Sequence, residues 1–230
     1  RLLPNHWTQE RMPAKIHRPV PRSKDRNRTS PLPLKSKKNQ KKYRDFILEL
    51  DLMDDPGFNS GILLRCVDTL ADAKVRLHGY QVKIDNTKRA WTGGIFDDFG
   101  AGWTWMFDLK DDARARGAFK LDEWSHFRIE CLGPSIKVWI NGVPTCNLID
   151  QKYREGYIAF KIHAWGNKPT ATKQAIRLKN IRIITDHPER FAAPMDLVAR
   201  NARDTPSDSD KALPKATTTS QSMPSGKAGA

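Results

Sequence analysis

Two short stretches carry polar side chains able to act together on one surface. In "HGYQVKIDN", residues 78–86, Gln81, Lys83 and Asp85 alternate with Tyr80, Val82 and Ile84, the period-two pattern of a half-buried strand. An amide, an ammonium and a carboxylate therefore stand in a row on one face, about 7 Å apart. "GYIAFKIH", residues 156–163, repeats the pattern, with Ile158, Phe160 and Ile162 set against Lys161 and His163. "ILLRC", residues 62–66, places Arg65 opposite Ile62 and Leu64. Strands sharing one sheet would merge these polar faces into a single surface. Carboxylates, amides and cations hydrogen-bond sugar hydroxyls, and Trp91, Trp103 or Trp105 can cover the apolar face of a sugar ring. The plain alternative is the solvent side of a sheet.

The elements that must position these groups are strands. "FILELDLM" alternates Phe46, Leu48, Leu50 and Leu52 with Ile47, Glu49, Asp51 and Met53, and "HFRIECL" puts Phe127, Ile129 and Cys131 on one face. "SIKVWINGVPTCNLID" reads as a hairpin turning at Asn141-Gly142, the pair that favours a type I′ turn. "AIRLKNIRIIT" closes the series. Many short alternating strands with no long helical pattern predict an all-β fold, an antiparallel sandwich or barrel.

Other chemistries find little support. "DDFG" at residues 97–100 has no accompanying kinase loops. Asp97 and Asp98 lack further spaced oxygen ligands, so the spacing does not indicate a divalent cation, and the cofactor stays unknown. Cys66, Cys131 and Cys146 form no Cys-x-x-Cys or His/Cys cluster, so neither zinc nor a redox motif is supported. No run of about 18 apolar residues exists to span a membrane.

The net charge of +14 is unevenly placed. Residues 1–45 hold 14 Lys/Arg against three Asp/Glu, and the rest of the chain holds 26 against 23. The basicity belongs to an arm, and no aromatic residues interleave with it as a single-strand nucleic-acid binder requires. Residues 1–42, with six prolines, read as a disordered basic arm, residues 43–186 as the folded domain, and residues 187–230 as a disordered low-complexity tail.

Six separated motifs, "KKYRDFILELDL", "FNSGILLR", "HGYQVKIDN", "WTGGIFDD", "DEWSHFRIECLGPSIKVWINGVP" and "REGYIAFKIH…AIRLKNIRI", occur in an order and spacing that resembles the 3-keto-disaccharide hydrolase family over about residues 41 to 185. The resemblance implies a concanavalin-like, lectin-like jelly-roll with a ligand groove across a concave sheet. It implies a carbohydrate substrate oxidised to a ketone at carbon 3 by a partner oxidoreductase, and a periplasmic or secreted location. Such a ketone acidifies the carbon-2 hydrogen, so a base can remove it and the enolate can expel the aglycone. On this reading Asp85 and His163 are the proton-transfer candidates, and Asn59, Arg65, Gln81, Lys83 and Lys161 contact the ligand. The family strand reads Gly-Tyr-Glu-x-Gln-x-Asp. Here Gln81 stands in place of Glu and Lys83 in place of Gln, while Lys161 replaces a Gln on the later strand. An amide cannot act as a base, and two added lysines favour an acidic sugar. The same fold could instead serve as a non-catalytic carbohydrate-binding module, and the basic arm as a contact for anionic surfaces.

Overall fold

The alternation of Phe46, Leu48, Leu50 and Leu52 turns these four side chains to one face, and all are buried. They open a two-sheet sandwich of largely antiparallel strands. The structure, a computed structural model, describes residues 15–16, 41–56, 59–71, 74–98, 104–162 and 175–202. Its elements are β1 (Lys15–Ile16), β2 (Phe46–Asp54), β3 (Asn59–Ala71), β4 (Lys74–Asp85), β5 (Ile95–Asp98), β6 (Trp105–Phe107), the helical turn α1 (Ala113–Arg116), β7 (Ser125–Leu132), β8 (Ser135–Ile140), β9 (Val143–Ile149), β10 (Tyr157–Ile162), β11 (Ile176–Ile184) and β12 (Arg200–Asn201). One sheet runs β1-β11-β2-β7-β8-β9-β12, and the other β10-β3-β4-β5-β6.

The inner faces meet in one core. Ile62, Leu64, Tyr80, Val82 and Ile84 from the five-stranded sheet pack with Leu48, Leu50, Phe127, Ile129 and Val138 from the seven-stranded one. The β8–β9 hairpin turns at Asn141 and Gly142 with φ of 51° and 77°, both positive as a type I′ turn requires. Asn141 also donates to the Ala118 carbonyl and accepts from the His126 amide, both through its side chain. That residue therefore fixes both the hairpin and the loop leading into β7.

Strand β3 is longer than its apolar run implies, because it continues through a bulge. Its register against β4 shifts between Leu64 and Val67, and Arg65 adopts a φ of 48°. An extra residue in one strand re-aims the side chain that it carries. Gly156 lies against this bulge, where a Cβ would stand 2.3 Å from the Cys66 carbonyl oxygen, so only glycine fits.

The terminal segments differ from what their composition implies. Lys15 and Ile16, inside the basic arm, pair with Arg177 and Ile176 at the edge of the seven-stranded sheet. At the other end, residues 187–202 form a strap. Pro188–Phe191 make a 3-10 turn, Arg128 donates to the Phe191 carbonyl at 2.6 Å, and Glu130 accepts from the Ala193 amide at 2.9 Å. Asn147 donates to the Leu197 carbonyl, and β12 then runs parallel to β9. Proline and polar content depress helix and strand propensity, but they do not prevent backbone groups from docking on charged side chains of a preformed sheet. The domain's C-terminal limit therefore lies beyond residue 186. Among the described residues no helix is long and apolar enough to cross a membrane.

Candidate functional site

Register brings most of the polar row together. Asn59 pairs with Asp85, Gly61 with Lys83 and Leu63 with Gln81 across β3 and β4. Lys161 of β10 pairs with Gly61, so it sits two strands from Lys83, about 10 Å away between backbones. On the other side Gln81 faces Phe96, which faces Trp105. Opposed residues in an antiparallel sheet share a face. Asn59, Gln81, Lys83, Asp85, Lys161, Phe96 and Trp105 thus occupy the outer face of the five-stranded sheet.

This face is not the solvated surface that alternation alone would predict. Gln81 and Asp85 are fully buried, and Lys83 is only 5% exposed. Gln81 is accommodated because its neighbour has no side chain: a Cβ at Gly61 would stand 2.2 Å from Gln81 Nε2. The carboxamide lies over that glycine and donates to the Ser60 carbonyl at 3.2 Å. Its oxygen is buried and has no hydrogen-bond partner.

Lys83 extends its ammonium to Asn59 Oδ1 at 2.8 Å and over the Phe96 ring, 5.3 Å from its centroid. A cation there is held by an amide dipole and an aromatic quadrupole. Asp85 is clasped on every side. Its Oδ2 accepts from Arg89 Nε at 2.6 Å and from Nη2 at 2.5 Å, its Oδ1 accepts from the Thr87 hydroxyl at 2.7 Å, and its amide donates to Thr92. The Arg89 guanidinium lies 4.8 Å from the Trp91 ring and 5.0 Å from that of Trp105. The two indoles meet edge to face at 4.8 Å. An aromatic wall bounded by an ion pair therefore flanks the lysine.

Arg65 does not join this face. The bulge turns it inward, across one end of the sandwich, where it is 1% exposed. It donates to the carbonyls of Arg44 at 2.7 Å, Gly133 at 2.8 Å and Tyr153 at 3.4 Å, and pairs with Asp45 at 3.2 Å. The expectation of a ligand contact is corrected: Arg65 is a clamp between the two sheets. Its positive φ reverses the direction that strict alternation assigns. Both oxygens of Asp85, the other proton-transfer candidate, accept hydrogen bonds from Arg89 and Thr87. His163 and Trp103 lie outside the described residues.

Sequence reasoning missed Arg89 and Phe96. Arg89 lies beyond the strand, and its signal is the Asp85-x-Thr87 turn that folds residue 89 back onto Asp85. Phe96 follows Ile95 in a stretch too short for alternation to be read. Among the described residues no group of three or more His, Cys, Asp or Glu could hold a metal ion.

Several solved structures are similar in part. The carbohydrate-binding module CBM66 from Bacillus subtilis has 16% identity, covering 62% of this chain and 76% of that one with a TM-score of 0.44. A putative glycosyl hydrolase from Parabacteroides distasonis has 22% identity, with coverages of 62% and 79% and a TM-score of 0.42. The β-glucanase of Bacillus licheniformis has 12% identity, with coverages of 64% and 69% and a TM-score of 0.40. No curated protein matches the chain. The family comparison reaches further, for the 3-keto-alpha-glucoside-1,2-lyase-like domain matches residues 35–184, the span that supplies β2 to β11 and every group on the polar face, and the chain belongs to that family.

Proposed function

We propose that the outer face of the five-stranded sheet binds a glycoside whose sugar carries a ketone at carbon 3, and that it cleaves the glycosidic bond by elimination. The observation that carries this reading is the placement of Lys83. Its side chain is mostly buried and its ammonium is fixed by Asn59 and Phe96, so it interacts with a developing negative charge more strongly than a fully solvated lysine would. In the reaction a base takes the carbon-2 hydrogen and the C–H electrons become an enolate stabilised by Lys83. The enolate then reforms the ketone and expels the aglycone oxygen from carbon 1, leaving an enone. Water adds at carbon 1 as a proton returns to carbon 2, for net hydrolysis. His163 is the base in this scheme. Asp85 holds Arg89 against the indoles and is a positioning residue. Lys83 and Lys161 together select a sugar that carries a carboxylate or sulfate. A carbohydrate 3-oxidoreductase must act first to supply the ketone.

A second reading, sugar binding without turnover, is favoured by Gln81, an amide at the place of the family's glutamate. The test is release of chromophore from a 3-keto-glucoside, beside calorimetric binding of the same compound, for the protein as it stands and for Gln81→Glu and Lys83→Met. Turnover that Lys83→Met lowers at least a hundredfold supports elimination. Binding without turnover, with cleavage gained only in Gln81→Glu, supports the second reading. Neither binding nor turnover in any folded variant rules out both.

A further inference from the structure

Where the two sheets meet below the polar face, two buried oxygens lack donors. Asp54 ends β2 in one sheet and is fully buried. Asn86 follows β4 in the other. The Asn86 Nδ2 donates to Asp54 Oδ2 at 3.0 Å and to the Asp55 carbonyl at 2.9 Å. Asp54 Oδ1 and Asn86 Oδ1 are both buried, and neither has a hydrogen-bond partner. Two orphaned acceptors on side chains already joined by an N–H···O bond are costly, and one proton relieves both.

We propose that Asp54 is a neutral carboxylic acid that donates through Oδ1 to Asn86 Oδ1, closing a two-bond acid–amide pair that latches the sheets together. The surrounding charges agree. Arg177 of β11, the cation beside this end of β2, is spent on Asp55 Oδ1 at 2.6 Å, and the other Asp55 oxygen accepts the Ala175 amide. Burial, aided by the negative charges of Asp55 and Asp122 and opposed by a hydrogen bond from the Asp55 backbone amide and by Arg177, pushes the Asp54 carboxyl up to about 8 from an ordinary 3.8. The pair lies one residue from Asp85, so the same latch supports the turn that carries the Asp85–Arg89 ion pair.

The sign follows from linkage. The folded value lies above the unfolded one, so the native state holds an extra proton between them. Stability from this group is complete below pH 3.8, is lost as pH rises toward about 8, and changes no further above that. Chemical unfolding of the full chain and of Asp54→Asn, measured from pH 5 to 9, tests it. Asparagine keeps the shape and supplies an N–H to Asn86 Oδ1. The expected result is an unfolding constant for the unaltered protein that rises about tenfold per pH unit up to pH 8 relative to Asp54→Asn. A parallel pH dependence in the two proteins overturns the proposal. So does stabilisation by added calcium that Asp54→Asn removes, which would put a cation where the proton is assigned. Should Asp54→Asn fail to fold, infrared spectra of the unaltered protein labelled with 13C-aspartate decide. A protonated carboxyl band at pH 6.5 that vanishes by pH 9 supports the pair, and its absence at pH 6.5 overturns it.

Discussion

Gly61 leaves empty the space that Gln81 fills: a Cβ on residue 61 would lie 2.2 Å from Nε2 and 2.6 Å from Cγ of the glutamine. The two residues occupy neighbouring pairs on adjacent strands, so one side chain leans diagonally over the other's backbone. Gly61→Ala is expected to push the carboxamide off the Ser60 carbonyl and destabilise the fold by about 1–3 kcal/mol. Combining it with Gln81→Ala should recover part of that loss. Urea unfolding of the two single variants and the double variant measures this coupling, and strictly additive losses would contradict the contact.

Arg65→Ala is expected to cost about 3 kcal/mol, because it strips hydrogen bonds from three backbone carbonyls and leaves a cavity at the end of the sandwich. Arg65→Lys should recover little, since an ammonium cannot reproduce the forked geometry. Thermal unfolding gives the loss. Sugar affinity of the folded variant, measured well below its midpoint, should stay within about twofold of the unaltered protein, which separates a clamp from a ligand contact.

Removing the guanidinium from the aromatic wall leaves the buried Asp85 carboxylate without its cation. Arg89→Ala should therefore destabilise by about 2–4 kcal/mol, and Asp85→Asn/Arg89→Ala should be more stable than Arg89→Ala alone. Because the cation lies against Trp91 and Trp105, native-state indole emission should also change in Arg89→Ala. Unchanged fluorescence would argue against the stack.

Cys66, Cys131 and Cys146 are all buried, and burial raises the Cys131 thiol to about 12 and that of Cys146 well above its usual value. All three should resist a thiol reagent at pH 8 in the native protein and react together on unfolding. A thiol that titrates quickly under native conditions would place it outside the core.

The sandwich was legible because Tyr80, Val82 and Ile84 alternate cleanly with polar residues and so share one apolar face, and because Asn141-Gly142 admits few other turns. The polar row was legible as a row, but its burial was not. Alternation tells which side chains share a face and is silent on what lies against that face. Gln81 is covered through a glycine on the next strand, a tertiary fact. Arg65 misled for a local reason, since a bulge reverses facing and leaves no mark in a run such as "ILLRC". Arg89 reaches the site from a turn, where periodicity carries no information.

The strap formed by residues 187–202 bears on how the domain can be handled. Read by composition, Asp186 looks like a safe place to cut. A chain ended there would lose the partners of Arg128, Glu130 and Asn147 and strip β12 from β9. The edge of β9 at Leu148 and Ile149 would then lose its backbone partners, leaving unpaired groups that can join one copy to the next. Light scattering of chains ended after Asp186 and after Ala202 would separate the two, with self-association confined to the shorter.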